Sequence, residues 1–190
     1  LPVQIAVAGR GIDFETFFAD LGLPGTGLMS RADLDMTLTF GPGGAERADG
    51  SGMLRLVPSP GVPSAVRGRH ALPVSGGGPL FVKNGTIRFP KTPFVTAGGL
   101  RTTLDGTLRI GTWEPDWELT IDAPDLVEAE RLAENFYPAI QKQPLTPPLK
   151  LGGSGRLVAR LARSFSDPHV SGRLEASPFD AGTAYAAVEF

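Results

Sequence analysis

The sequence feature that most constrains this chain is a strict alternation of residue types between Leu100 and Ile110. Nearly all of the apolar surface lies on the even-numbered positions, which are Leu100, Thr102, Leu104, Gly106, Leu108 and Ile110. The polar side chains lie on the positions between them, which are Arg101, Thr103, Asp105, Thr107 and Arg109. Successive side chains of a β-strand point to opposite faces. The run therefore predicts a strand with one apolar face and one polar face.

Shorter alternating runs occur along the rest of the chain and predict further strands. They cover residues 3–7, 33–40, 53–57, 80–82, 86–89, 117–121, 155–161, 169–176 and 184–190. Several contain a glycine followed by an alternating aliphatic pair, and we interpret each such glycine as the start of a strand. These glycines are Gly52, Gly85, Gly106, Gly155 and Gly172. Their spacing is irregular, which excludes a solenoid of fixed period.

Two segments have helical rather than alternating periodicity. Asp13 is a candidate N-cap for a short helix that carries three phenylalanines on one face, and we expect that helix to cover an end of the sheet. Asp125 and Glu128 have the spacing of a capping box, so a second helix is predicted from this point. Pro138 is expected to end or kink it.

Glycine and proline predict where the strands are interrupted. Asn84-Gly85 favours a type I′ turn between two strands. The segments 41–52 and 58–79 are expected to be turns and loops, and Pro90 and Pro93 to break the pattern before Leu100. With 25 glycines, 18 prolines and 41% hydrophobic residues, the composition fits a turn-rich β protein. The predicted fold is mainly β, an elongated curled antiparallel sheet of roughly ten strands and two short helices.

Charge and cysteine content exclude some classes of function. The net charge of −2 provides no electrostatic basis for binding nucleic acid, so no nucleic-acid partner is expected. The chain has no cysteine and no apolar run long enough to span a bilayer. It begins with Leu1 and has no signal-peptide pattern, which indicates a piece of a longer protein. We expect residues 1–190 to be one excerpt of a longer domain, with a candidate sub-boundary near residues 138–150.

Residue spacing provides no catalytic or metal-binding motif. The two histidines, His70 and His169, lack the spacing of a metal site. The carboxylates Asp33, Asp35 and Asp105 fall on predicted polar faces, where solvated alternation explains them. We therefore expect a protein that is not an enzyme and that has no cofactor or metal. A carbohydrate-active enzyme with paired carboxylates is the weaker alternative.

The predicted strands together place a large apolar surface on one side of the sheet. Its members are Leu34, Met36, Leu38, Phe40, Leu54, Leu56, Ile87, Phe89, Leu104, Leu108, Ile110, Trp117, Leu119, Ile121, Leu157 and Leu174. Such a surface either packs into a filled core or lines an open trough that holds acyl chains. The pattern by itself favours the filled core.

The C-terminal half resembles a known family. Residues 155–176 read Gly-Arg-Leu-Val-Ala, then Ser-Phe-Ser-Asp-Pro, then Val-Ser-Gly-Arg-Leu-Glu-Ala, which is similar to the recurring unit of the AsmA/TamB-like family. Residues 104–110, followed by Trp117 and the helix after Asp125, also resemble that family. The likeness covers residues 98–190 well and is diffuse over 1–97.

The resemblance implies a non-catalytic, lipid-transporting function in the cell envelope. Family members form a strongly curved sheet, a β-taco, whose apolar interior shields phospholipid acyl chains between the inner and outer membranes. It also implies a periplasmic location, tethering to the inner membrane by segments outside this chain, and an outer-membrane assembly protein as a further partner. The sixteen apolar residues above would then line the lipid groove. The alternative is a structural or assembly module with a filled core that docks its partner by a strand edge.

Overall fold

The computed structural model describes residues 2–20, 25–59, 70–146, 150–165 and 167–180. Its strands are β1 (Val3–Asp13), β2 (Ser30–Phe40), β3 (Ala48–Pro58), β4 (Val74–Lys83), β5 (Thr86–Thr96), β6 (Arg101–Arg109), β7 (Glu114–Ala123), β8 (Gly152–Ala162) and β9 (His169–Asp180). Its helices are α1 (Phe14–Asp20) and α2 (Leu126–Gln141), with a 3-10 turn at Gly44–Arg47.

The strands form one antiparallel sheet in which each strand pairs with its neighbours in sequence. The spatial order is β1 to β9, and β1 does not pair with β9, so the sheet is open. The predicted mainly β fold is therefore confirmed. Nine of the expected strands lie in the described part of the chain, and the predicted strand at 184–190 lies outside it. Strands β7 and β8, on either side of the candidate boundary at 138–150, pair directly.

The sheet curls around its apolar face, which we call the inner face. Helix α1 follows β1 and helix α2 follows β7, six strands further along the sheet. In a flat sheet six strand spacings would separate them by roughly 29 Å. The rings of Phe18 and Phe136 nevertheless lie with their centroids 6.5 Å apart. The two helices thus meet over the inner face at one end of the strands, which we call the helix end.

The glycines predicted to start strands have a different role. Gly52, Gly106, Gly155 and Gly172 lie inside their strands. At Gly106, where φ is +152°, a Cβ would lie 2.2 Å from the carbonyl oxygen of Asp116 on the neighbouring strand. Glycine is needed there because the backbones approach closely, not because the chain turns. Gly85 differs, since it forms with Asn84 a two-residue turn in which both φ angles are positive.

Most strands are longer than the sequence pattern predicts, and three of them run through segments expected to be turns, loops or breaks. β3 begins at Ala48 and β4 at Val74, so residues 48–52 and 74–79 are strand rather than turn or loop. β5 runs through Pro90 and Pro93, and its register with β6 shifts between Phe89 and Thr92. A bulge accommodates residues that cannot join a regular ladder. The prediction that these glycines and prolines interrupt the sheet was therefore wrong.

Both helices begin at the predicted caps. The carboxylate of Asp13 accepts a hydrogen bond from the Thr16 amide at 2.8 Å, and that of Asp125 accepts one from Val127 at 2.9 Å. Helix α2 continues past Pro138 to Gln141, so the proline does not end it. One lost backbone bond in the last turn is tolerated because Lys142, in the left-handed conformation, caps the helix by donating to the Pro138 carbonyl.

Removing the cap of α2 should weaken the helix end. We expect Asp125→Ala to lower the free energy of unfolding by about 1 kcal/mol, because the Val127 amide loses its acceptor. Asp125→Ser is the matched control, since serine also caps helices. Urea denaturation of the three proteins measures the difference, and equal midpoints for the alanine and serine variants would contradict the capping role.

Candidate functional site

The candidate site is the inner face itself. Direct cross-strand pairs such as Leu34 with Leu54 and Leu104 with Leu119 place alternate residues of successive strands on it. All sixteen residues predicted to share one apolar surface pack in three adjoining clusters. Six of them are buried: Met36, Leu56, Phe89, Leu104, Leu108 and Ile121. The other ten are partly buried: Leu34, Leu38, Phe40, Leu54, Ile87, Ile110, Trp117, Leu119, Leu157 and Leu174.

Aromatic side chains fill the middle of the inner face. The indole of Trp117 packs edge-on against Phe89, with a centroid distance of 5.8 Å. It also packs against Phe165, from the β8–β9 connection, with a centroid distance of 5.5 Å. Edge-to-face pairs of this kind contribute beyond their buried area. This part of the sheet is therefore occupied by the chain's own side chains.

The helix end of the inner face is closed by a second set of contacts. Leu28 and Leu72, from the connections that precede β2 and β4, form an isolated parallel bridge and are both buried. Asn135 of α2 is completely buried between these connections. Its amide nitrogen donates to the carbonyls of Thr26 at 3.0 Å and His70 at 2.7 Å, and its oxygen accepts from the His70 amide at 3.0 Å. One side chain thus joins three segments that are distant in sequence.

The inner face is uncovered along the edge strand β1. Val3, Ile5 and Val7 stand directly opposite Phe40, Leu38 and Met36 of β2 and share their face. They are nevertheless 56%, 44% and 40% exposed. We call these three residues the β1 strip. The apolar surface therefore runs from a buried middle to a solvent-exposed margin without a change of face.

The outer face carries charges in cross-strand pairs. The predicted solvated carboxylates Asp35 and Asp105 contact the guanidinium groups of Arg10 and Arg88, each at 2.5 Å. The hydrogen bond that Arg10 donates to Asp35, and then the Coulombic attraction of that carboxylate, raise the pKa of Arg10, so this guanidinium stays charged. Asp33 accepts a hydrogen bond from the Gly11 amide at 2.8 Å. All three carboxylates are thus engaged with neighbouring strands or turns.

Other polar features offer little for chemistry. A cleft of about 500 Å³ lies at the helix end and is lined by four charged residues, Arg101, Asp122, Arg156 and Glu175, and by small or apolar ones. His70 contacts Glu134 at 2.6 Å. Within the described ranges, no three His, Asp or Glu side chains are grouped to hold a metal ion. Nor does that part of the chain contain a helix long and apolar enough to cross a membrane.

The sequence pattern did not predict several residues that shape the site. Leu80, Val82 and Phe165 belong to the central cluster, and Leu72 and Leu126 are almost completely buried at the helix end. The alternation of Leu80 and Val82 was visible in the sequence but too short to assign a face. Leu72 lies in the segment expected to be loop, and no local pattern distinguishes Asn135 from a surface residue of an amphipathic helix.

Comparison with known proteins does not identify a family for this chain. The chain matches no protein-family model, and no curated protein or solved structure matches it either.

Proposed function

We propose that this chain is a non-catalytic periplasmic segment of an AsmA/TamB-like protein that shields phospholipid acyl chains on its inner face. In the full-length protein it would be tethered to the inner membrane by segments outside this chain and would carry lipid towards the outer membrane. The observation that carries the proposal is the apolar inner face that continues, on one side of an open sheet, into the exposed β1 strip.

The exposed margin favours an apolar ligand for energetic reasons. Three neighbouring apolar side chains on one strand face, each more than a third exposed, leave a surface that gains free energy when it is covered. Each methylene of an acyl chain buried there contributes about 0.8 kcal/mol. An acyl chain lying along the β1 strip therefore binds without a charged anchor. In the part of the chain that the structure describes, the outer face carries ion pairs and offers no comparable apolar strip for an acyl chain.

Photo-crosslinking to lipid tests the proposal. A photoreactive amino acid is introduced at Val3 or Ile5 on the inner face and, as matched controls, at Met53 or Phe81, which are 51% and 49% exposed on the outer face. The protein is irradiated with vesicles of phosphatidylethanolamine and phosphatidylglycerol. We expect lipid adducts severalfold more abundant at the inner positions, because acyl chains lie only on that face. Equal adduct yields at all four positions would refute the proposal that acyl chains bind to the inner face.

A structural or assembly module is the second candidate function. It is favoured by the filled middle of the inner face, where Leu104, Leu108 and Phe165 are all buried. Within the described ranges, β1 and β9 each also have one side that pairs with no other strand. An outer-membrane assembly protein that adds a strand to one of these edges would pair with the free backbone groups of that edge. In the same crosslinking experiment, protein adducts at Val3 without lipid adducts would favour this function.

A further inference from the structure

Strand β1 has a free edge that lacks the usual protection against pairing. Within the described ranges, no strand lies on the side of β1 away from β2. Residues 3–8 are all exposed, and none of them is charged. Their pairing with β2 is regular from Val3 to Gly9, so this part of the edge is straight. Native proteins usually protect such an edge with charged residues, proline or a bulge, and here Pro2 and the bulge after Gly9 protect only its two ends.

The free edge at β9 is better protected. Arg173 and Glu175 alternate with the inner-face residues of β9 and form an ion pair at 3.3 Å. Pro178, which has no amide hydrogen to donate, lies in the same strand. An incoming strand would meet these charges and would have to desolvate them. Of the two free edges, β1 is therefore the one open to pairing.

The β1 strip is complementary to itself. In an antiparallel pair of two copies centred on Ile5, each Ile5 faces the other, and Val3 faces Val7 of the second copy. Residues that stand opposite each other in such a pair share one face of the sheet, and β-branched pairs there stabilise it. On the outer face Gln4 faces Ala6, so no charge is buried. Only this centre pairs the three residues of the strip among themselves, and a charged partner strand would find no opposite charge there.

We propose that two copies of this chain form a dimer by pairing their β1 strands antiparallel, about a two-fold axis at Ile5. A two-fold axis brings the same patch of each copy together, which is the commonest symmetry of soluble oligomers. The axis stands perpendicular to the sheet, so the inner faces of both copies lie on the same side. The two β1 strips then join into one apolar surface two strands wide. This inference goes beyond the proposed function and does not depend on it.

The short contact predicts a weak dimer. An edge formed by residues 3–8 buries less than the roughly 800 Å² per partner of a stable complex. Backbone hydrogen bonds and the apolar pairs of the β1 strip provide the attraction. The net charge of −2 on each copy causes little repulsion. We expect a Kd on the order of 10–100 μM.

Single cysteines test the pairing and its register. The chain has no cysteine, so each variant carries one thiol. With oxidised glutathione, Ile5→Cys should form a disulfide-linked dimer severalfold faster than Val170→Cys, because directly opposite residues are close enough for that bond. Val170 is the matched control, since it lies on β9 and is 39% exposed, against 44% for Ile5. Val3→Cys and Val7→Cys should each crosslink slowly alone and rapidly when the two variants are mixed.

Sedimentation equilibrium measures the same association without a covalent bond. The wild-type chain should change from monomer to dimer as its concentration rises through the Kd. Ile5→Lys should weaken the dimer by about tenfold or more, because two like charges would stand opposite each other. Val170→Lys should leave the association unchanged, and circular dichroism checks that both variants keep the β-sheet.

The outcomes separate the dimer from the proposed function. A wild-type chain that stays monomeric well above the expected Kd would overturn the dimer and leave the β1 edge to a different partner. Equal crosslinking at Ile5 and Val170, or equal weakening by the two lysine variants, would also overturn it. Lipid adducts at Val3 are measured separately, so the proposed function can fail while the dimer stands, and the reverse.

Discussion

Gly106→Ala is expected to destabilise the protein by about 3–5 kcal/mol. The added Cβ would lie 2.2 Å from the Asp116 carbonyl oxygen and 2.8 Å from the Cα of Trp117, both in the backbone of the paired strand. The φ of +152° adds strain that an L-residue rarely tolerates. β6 and β7 must therefore separate, and the Trp117 indole must move with them. Chemical denaturation measures the loss of stability.

Gly111→Ala is the matched control for backbone strain without a clash. Its φ is +98°, also outside the range of ordinary side chains, but nothing lies within 4 Å of the position that a Cβ would take. The expected cost is about 1–2 kcal/mol, from the conformation alone. If both variants lost the same stability, the close approach of β6 and β7 at Gly106 would not constrain the fold.

Asn135→Ala is expected to cost about 3–5 kcal/mol, because it removes the hydrogen-bond partner of three backbone groups, one buried and two partly buried. These groups are the Thr26 carbonyl, the His70 carbonyl and the His70 amide. The connections before β2 and β4 then lose their link to α2. Amide hydrogen exchange at Met29 and Leu72, which bond across these connections, should accelerate far more than exchange in β8 and β9.

Two further variants make this prediction specific to hydrogen bonding. Arg131→Ala on the same helix, at a half-exposed side chain, should change stability by less than about 0.5 kcal/mol. Asn135→Asp keeps an acceptor for the His70 amide but turns a carboxylate towards two carbonyls. Burial raises the pKa of such a carboxyl, and the protonated form fits better, so its deficit should shrink as pH falls. A pH-independent deficit would contradict this account.

The position of the apolar face could be predicted from the sequence because side chains alternate strictly along a strand. A one-residue error in register would move every side chain to the other face, so a run such as Leu100–Ile110 has only one consistent arrangement. Local chemistry likewise determined the caps at Asp13 and Asp125 and the Asn84-Gly85 turn, since each depends on residues within a few positions.

The mistaken predictions about strands concern glycines and prolines whose role depends on the neighbouring strand. Gly106 looked like the start of a strand, and its real constraint comes from the Asp116 carbonyl on β7. Pro90 and Pro93 looked like breaks, yet β5 continues through both, because its register with β6 shifts at Pro90 and its register with β4 shifts between Arg88 and Phe94. Glycine and proline report that the backbone is unusual at a position. They do not report whether the reason is a turn or a close approach.

By itself the sequence determined that this protein is an antiparallel β-sheet with one apolar face, because that information is local and repeats every second residue. Only the tertiary structure decided how far the sheet curls and which parts of the face are buried. It also decided that Asn135 joins segments 65 and 109 residues away. Those contacts depend on side chains meeting across the curved inner face, and no spacing along the chain encodes such a meeting.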